Sequence, residues 1–292
     1  MMKITAATKT LAIFGDPVSH SISPVMQGAA LRALDIDMVY LAYRVAPADL
    51  GSAVYAIRTL GLRGVNLTIP HKVAVLEFLE EVDDTARVLG AVNTILNNDG
   101  TLKGYNTDAV GYMWSLESET GFTPRGRTAF VFGAGGAARA VVYGLASGGV
   151  SRVVIANRTL SRAEALSAKL TAVCPGVEIS AISYESKEME GLLKTTDLLV
   201  NATSLGMAGG RHGELDLPLE HLKKEAVVSD IVYTPMETGL IKQARGLGLA
   251  THGGLGMLVG QGAKSFEIWT GQKAPVEVMR EAALEALGLK HS

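Results

Sequence analysis

The chain has 292 residues, with 27 Lys and Arg against 29 Asp and Glu and a formal charge of -2. That balance gives no basic surplus for a nucleic-acid backbone, and no apolar run is long enough for a membrane-spanning helix. The length suits one large or two ordinary domains, and 33 glycines with 5% aromatic residues fit an α/β enzyme with tight strand-to-helix turns, although composition alone does not establish it.

Cys174 is the only cysteine, so no intrachain disulfide forms and a reducing, cytoplasmic setting is expected, with the thiol inert. The N-terminal stretch has a lysine inside its apolar part and leads into a strand, which argues against a signal peptide. The 6 histidines lack metal-ligand spacing, so no metal is expected. No G-x-S-x-G elbow is present, which disfavours a serine nucleophile.

Residues 11–14 form a first apolar strand, ended by Gly15-Asp16-Pro17. In the following His20-Ser21-Ile22-Ser23-Pro24, Pro24 suits the first turn of a helix whose stripe is Met26, Ala29, Ala30, Ala33 and Leu34. Ser23 reads as its N-cap. Ser21 and Ser23, two residues apart on an extended loop, point the same way and suit a carboxylate.

A second strand is expected over 38–45 and a helix from Pro47 to about Leu60, closed by Gly61. The strand 65–69 alternates, placing Asn66 and Thr68 on one face and Val65, Leu67 and Ile69 on the other. His71-Lys72 then start a helix with Val73, Leu76 and Leu79 on its apolar side. After Asp83-Asp84, turn residues 97–100 predict a hairpin with Asn93 and Asp108 at its open ends. Asp108 is also a good N-cap for the helix through Val110, Met113, Trp114 and Leu116.

Residues 128–139, TAFVFGAGGAAR, read as a buried strand, a glycine turn and a helix. Gly133, Gly135 and Ala138 fit G-x-G-x-x-(G/A): the first turns the chain, the second admits a pyrophosphate, and the third packs helix on strand. The helix N-terminus adds free N–H groups and a positive dipole end. The fingerprint is weak alone, but the strand 153–156 follows at the spacing of one βαβ unit.

Beyond that strand lie Asn157, Arg158 and Thr159, with Arg162 one turn on. No acid stands where an NAD site holds the ribose 2′-hydroxyl, and two cations suit the 2′-phosphate of NADP; the plainer alternative is solvated arginines at a helix start. Strands near 177–180, 197–200 and 227–232 continue a doubly wound half. Asn201, Thr203 and Ser204 are placed to touch a cofactor or to satisfy turn backbone. Helices through Trp269 and over 275–287 finish the chain.

In order, HSISP, NLTIPHK, GAVNTI, GYNTD, FGAGGAAR, NRT, NATSLGM, DIVYTP and GLGMLVGQGA closely resemble the shikimate dehydrogenase family, over nearly the whole chain. The resemblance implies an α/β fold of two domains, with the active site in the cleft. One is a substrate and catalytic domain with a mixed sheet, 1–106 plus 255–292. The other is a Rossmann-like doubly wound parallel-sheet domain that binds NADP, 107–254. It further implies Ser21 and Ser23 on the substrate carboxylate, Asn66, Asn93, Asp108 and Gln261 on ring hydroxyls, Thr68 and Tyr233 beside them, and Lys72 as the catalytic lysine with Asp108 as its partner. Ala134, Gly136, Ala137 and Gly254 join the cofactor contacts.

Without the resemblance, Lys72 reads equally as an exposed helix-start lysine. The expected activity is NADP-dependent reduction of 3-dehydroshikimate to shikimate, in aromatic amino-acid biosynthesis, by a monomer or homodimer with a small-molecule substrate. The alternatives are a quinate/shikimate or aminoshikimate dehydrogenase, or a non-catalytic sensor of NADP and a ring acid.

Overall fold

The computed structural model describes residues 4–207 and 213–289; Met1 to Lys3, part of the N-terminal stretch read above, lie outside them. The chain divides into two compact units, Met1–Thr107 with Val259–Ser292 and Asp108–Leu258. Among the described residues each unit carries a 6-stranded sheet.

The first unit runs β1 (Lys9–Gly15), α1 (Ser23–Ala33), β2 (Met38–Arg44), α2 (Leu50–Thr59), β3 (Gly64–Leu67), α3 (His71–Ala74), β4 (Glu81–Val82), α4 (Asp84–Leu89), β5 (Thr94–Asn98) and β6 (Thr101–Tyr105). Its strand order is β2-β1-β3-β5-β6-β4. The β1 pairings with β2 and β3 are parallel, while β3–β5 and β5–β6 are antiparallel, so the sheet is mixed as expected. The β5–β6 hairpin turns through Asp99 (φ 51) and Gly100 (φ 96), the left-handed pair that a two-residue connection favours.

Register decides which side chains meet. Leu11 lies opposite Tyr40 and Gly64, and Asn66 opposite Thr94. Alternation therefore puts Tyr40, Asn66 and Thr94 on one face and Ala12, Phe14, Val65, Leu67 and Ile95 on the other. The second group joins Val54 and Ile57 of α2 in an apolar core.

Several local expectations fail for identifiable reasons. β3 ends at Leu67, after which the Thr68 carbonyl accepts the His71 N–H (2.9 Å) in a turn; Ile69 leaves the apolar face and is 74% exposed. α3 has only 4 residues before the chain tightens into a 3-10 turn over Val75–Phe78, so Val73 faces outward and Val75 packs inward. Ser23 is the first residue of α1 rather than its cap. Ile22 before it already has near-helical φ/ψ (-89, -1) and gives no side-chain cap bond, so Ser21 and Ser23 are not related by extended-strand geometry. β4 carried no sequence signal.

The second unit comprises α5 (Asp108–Thr120), β7 (Thr128–Phe132), α6 (Gly136–Ser147), β8 (Arg152–Asn157), α7 (Leu160–Thr171), β9 (Glu178–Ser183), α8 (Met189–Leu193), β10 (Leu198–Asn201), β11 (Val227–Asp230), α9 (Gly239–Gly246) and β12 (Ala250–His252). From here α10 (Gly254–Thr270) and α11 (Val276–Ala286) complete the chain. The order β12-β11-β10-β7-β8-β9 is parallel throughout. It is the doubly wound arrangement, with its switch point between β7 and β10, beyond whose C-termini ligands bind. Phe130, Phe132, Val154, Leu199 and Val228 centre its core.

Along helix α5, Val110 and Trp114 are exposed, while Ala109, Tyr112, Ser115 and Leu116 are buried. The inner stripe is partly polar because it meets a buried histidine. Tyr112 donates to Ser229 Oγ (3.2 Å), Ser229 Oγ meets His252 Nδ1 (2.9 Å), and His252 Nε2 meets Ser115 Oγ (3.0 Å), which itself donates to the Tyr112 carbonyl (3.0 Å). With the Ser115 proton spent on the Tyr112 carbonyl, His252 Nε2 is the donor to Ser115, and the Glu119 carboxylate lies 3.8 Å from the same nitrogen. Apolar periodicity does not register such a face.

Candidate active site

On the first unit, the polar face of the sheet holds Asn66 (6% exposed) and Asn93 (2%). Asn66 Nδ2 lies 3.0 Å from the Asn93 carbonyl and 3.1 Å from both Thr94 Oγ1 and Ser265 Oγ. Its Oδ1 accepts from the Tyr40 hydroxyl at 2.7 Å. Asn93 Oδ1 accepts the Thr107 N–H (2.9 Å), and its Nδ2 reaches Thr107 Oγ1 (2.9 Å) and Gln261 Oε1 (3.4 Å). The strand register brings Asn66 beside Thr94, and α10 supplies Ser265 and Gln261 one turn apart, with Ser265 donating to the Gln261 carbonyl (3.0 Å). Three of the expected residues, Asn66, Asn93 and Gln261, thus join one hydrogen-bonded network with Tyr40, Thr94, Thr107 and Ser265.

The remaining expected residues of this unit frame that face. Ser21 is half-buried and its Oγ accepts the Ser23 N–H at 3.3 Å. Thr68 and Lys72 are half-buried. The Lys72 carbonyl accepts the Val92 N–H at 2.8 Å, tying α3 to the residue before Asn93. His71 beside it is 1% exposed, and its Nε2 donates to the Val45 carbonyl at 2.8 Å, which fixes the start of the helix.

The second unit builds its site from backbone and open space. Gly133 has φ +111, and a Cβ there would lie 2.8 Å from the Ala202 carbonyl, so only glycine fits between the ends of β7 and β10. At Gly135 and Gly136 an added Cβ meets nothing within 4 Å, leaving clear ground before the N–H groups that open α6. Ala134 and Ala137 are half-buried, and Ala138 is fully buried against the strand. A cleft of about 460 Å³ lies here, lined by Gly133, Asn157, Arg158, Tyr184, Thr203 and Ser204 among others.

Around that cleft, Asn157 Nδ2 donates to the Thr159 carbonyl (2.8 Å) and shapes the bend before α7. Arg158, Thr159 and Arg162 are exposed, and neither arginine forms an ion pair among the described residues. Asn201, fully buried, serves the turn: its Oδ1 accepts from Thr203 N–H (3.1 Å) and Oγ1 (2.7 Å), and its Nδ2 donates to Asp230 Oδ1 (3.0 Å). Asp230 also accepts from the Val232 N–H (3.0 Å) and the Thr238 hydroxyl (2.7 Å), which holds the loop bearing Tyr233. Burial pushes the Asp230 carboxyl and the half-buried Tyr233 phenol up. Asp108 is 6% exposed at the start of α5. Gly254 opens α10 where a Cβ would collide with the Ile231 carbonyl, so packing alone requires glycine there.

Residues 13–95 match the shikimate dehydrogenase substrate binding domain, residues 117–234 the shikimate / quinate 5-dehydrogenase family, and residues 254–284 the shikimate 5′-dehydrogenase C-terminal domain. A shikimate dehydrogenase (NADP(+)) of Methanopyrus kandleri is 44% identical, over 98% of each chain. The chain belongs to the shikimate dehydrogenase family. A crystal structure of a shikimate dehydrogenase in complex with NADP+ superposes with a TM-score of 0.89, at 38% identity over 97% of both chains. The shikimate 5-dehydrogenase from Thermus thermophilus, in complex with NADP(H) and shikimate, gives 0.84 at 37% identity, over 95% of this chain and 99% of that one.

For a shikimate dehydrogenase family member, the fold and the chemistry of the second-unit cleft fit a phosphorylated dinucleotide. Its glycine turn is unobstructed, its helix start faces the opening, and its two guanidinium groups have no carboxylate partner. Sequence reading missed Tyr184, which extends the cleft wall from the end of β9 and packs against Phe132 (ring centroids 5.5 Å apart). It also missed Tyr40, Thr94, Thr107, Ser265 and Asp230. Of these, Thr94, Thr107 and Asp230 lie within the motifs GAVNTI, GYNTD and DIVYTP, whereas Tyr40 and Ser265 lie in none. Among the described residues no group of three His, Cys, Asp or Glu is arranged to hold a metal, and no helix is long and apolar enough to cross a membrane.

Proposed function

We propose that this protein catalyses the NADP-dependent, reversible reduction of 3-dehydroshikimate to shikimate. The observation that carries the reading is the closed network around Asn66, Asn93 and Gln261, a polar face suited to a small polyhydroxylated ring. Ser21 and Ser23 take the carboxylate of that ring, Asn66, Asn93, Asp108 and Gln261 take its hydroxyls, and Thr68 and Tyr233 flank it.

Residues 133–137 would hold the cofactor's pyrophosphate and Arg158 and Arg162 its 2′-phosphate, next to Asn157 and Thr159, with Thr203, Ser204 and Gly254 as further contacts. NADPH, when bound, supplies the hydride. Reduction leaves charge on the substrate carbonyl oxygen, so a proton donor must stand within hydrogen-bond reach of it. Lys72 Nζ is that donor, and in the reverse direction the same nitrogen accepts the proton of the alcohol. Asp108 accepts a substrate hydroxyl and joins Lys72 in the acid–base step. Domain limits of 1–106 plus 255–292 and 107–254 go with this division of labour, as does a cytoplasmic monomer or homodimer.

The test is absorbance at 340 nm while purified protein is mixed with shikimate and NADP or NAD, and then with quinate. Rapid reduction of NADP with shikimate is the expected result. Preference for NAD or quinate would overturn the stated specificity, and binding without turnover in calorimetry would make the protein a sensor of NADP and a ring acid.

A further inference from the structure

The connectivity of a dinucleotide places its base. With the pyrophosphate at the turn after β7 and the 2′-phosphate at Arg158 after β8, the adenine falls further along the same direction, where Ser183, Tyr184 and Glu185 wall the cleft. Strand β9 pairs with β8 up to Ser183, which lies opposite Asn157, so this wall is the next one outward in the sheet.

Glu185 is the only carboxylate among the described residues that line the cleft. A negative charge beside a ligand that carries several phosphates is unfavourable unless the ligand meets it with a hydrogen-bond donor. The adenosine half of NADP has few donors, the 6-amine of the base and the 3′-hydroxyl of the ribose. The ribose goes with Arg158 on β8, which leaves the amine for the β9 wall. An ionised carboxylate only accepts, so it matches that amine.

The place of Glu185 is fixed from both sides. Tyr184 before it donates its N–H to the Asn157 carbonyl (3.3 Å), and its half-buried ring rests on Phe132 with centroids 5.5 Å apart. The Ser183 hydroxyl accepts the Glu185 N–H (3.4 Å), and the Ser183 carbonyl accepts the Ser186 N–H (3.1 Å). Glu185 therefore stands at the tip of a closed turn. It is exposed, and its carboxylate has no hydrogen bond or ion pair among the described residues.

We propose that Glu185 reads the adenine of the cofactor, its carboxylate accepting a proton of the 6-amine while Tyr184 and the Ser183 turn hold it in place. The inference rests on the NADP reading above and deepens it. Arg158 selects the phosphate and Glu185 the base, two choices made at the ends of neighbouring strands.

The experiment is titration calorimetry with NADP and with the analogue in which hydrogen replaces the adenine 6-amine, on the wild type, Glu185→Ala and Glu185→Gln. The wild type should bind NADP about tenfold more tightly than the analogue, the low end for a hydrogen bond to a charged group because the site is exposed. In Glu185→Ala the two ligands should bind within about twofold of one another, which separates this pair from any general effect of the amine on stacking. Glu185→Gln keeps an acceptor oxygen without the charge and should retain a preference of about threefold. Arg158→Ala is the contrast: it should weaken both ligands alike and leave their ratio unchanged.

A wild type that binds the two ligands equally, or an alanine variant that keeps the full preference, would overturn the proposal. In either case NADP still binds, and only the role of Glu185 is lost. A wild type that binds neither ligand refutes the NADP reading and this inference with it, so the two failures are distinguishable.

Discussion

The two units meet the same problem, holding small polar ligands, with opposite means. The mixed sheet of the first unit uses side chains: Asn66, Asn93, Thr107 and Ser265 are buried and matched to one another, so each group is held by the next. The parallel sheet of the second unit uses the absence of side chains, with Gly133 forced by a neighbouring carbonyl and Gly135 and Gly136 left open. The difference shows in how each fails. Substitutions on the first face should act through hydrogen bonds left unmade, and those in the second cleft through added volume or removed charge.

The largest effect should fall on the first unit. Lys72→Ala should lower kcat by about 10²–10⁴, the range for loss of a positioned proton donor or acceptor, with little change in KM because the interaction forms mainly in the transition state. Steady-state kinetics in both directions would measure it. A variant within a few-fold of wild type would remove Lys72 from the role and make the polar face a binding surface only.

Next in size is a charge effect on the second unit. Arg158→Ala should raise KM for NADP by about ten- to a hundredfold, in line with charge-assisted hydrogen bonds of about 1.5–3 kcal/mol, and leave KM for NAD nearly unchanged. Equal losses with both cofactors would show that Arg158 serves the cleft generally and does not read the 2′-phosphate.

The same contrast explains what the sequence made legible. Strand, glycine turn and helix are contiguous over 128–147, so the cleft could be read from local spacing, and the mixed sheet followed from the resemblance. The network of the first unit joins positions as distant as Tyr40, Thr94 and Ser265, and only strand register brings them together. Composition offers no trace of that. The misassigned Ile69 and Val73 share a physical cause: periodicity was carried past the end of a strand or into a helix of 4 residues. Ser23 was read as a cap because serine caps helices well, yet it is the first helical residue and Ile22 stands at the cap position.

Within the cleft itself, Gly133→Ala and Gly135→Ala should separate fold from ligand. At φ +111 an alanine is strained by about 1–2 kcal/mol, and it also meets the Ala202 carbonyl, so Gly133→Ala should lose thermal stability even without cofactor. Gly135 has φ -82 and ψ -170, which any residue adopts, and its Cβ would meet no protein atom within 4 Å. Its alanine variant should melt with the wild type and yet bind NADP more weakly. Thermal melts with and without NADP would test both; a Gly135→Ala variant that binds normally would move the pyrophosphate away from this turn.

The smallest effects concern two aspartates of the parallel sheet, which titrate in opposite senses. Burial alone would push Asp197 up, but Lys223 (2.7 Å), the Thr128 N–H (2.8 Å) and Arg127 (3.7 Å) hold it below the usual carboxylate value. At Asp230 burial prevails over the donors Thr238, Val232 and Asn201 and holds the carboxyl above it. By linkage, the Asp197 contribution is fully present above the usual 3.8 and is lost as pH falls through its depressed value. The Asp230 contribution is present below 3.8 and is lost as pH rises through its raised value. Urea unfolding across the acid range should therefore show the stability gap between wild type and Asp197→Asn widening as pH rises from strongly acid, and the gap to Asp230→Asn moving the other way. Parallel slopes for the two variants would mean that the donors around Asp230 outweigh its burial, making the end of β11 a site that favours charge.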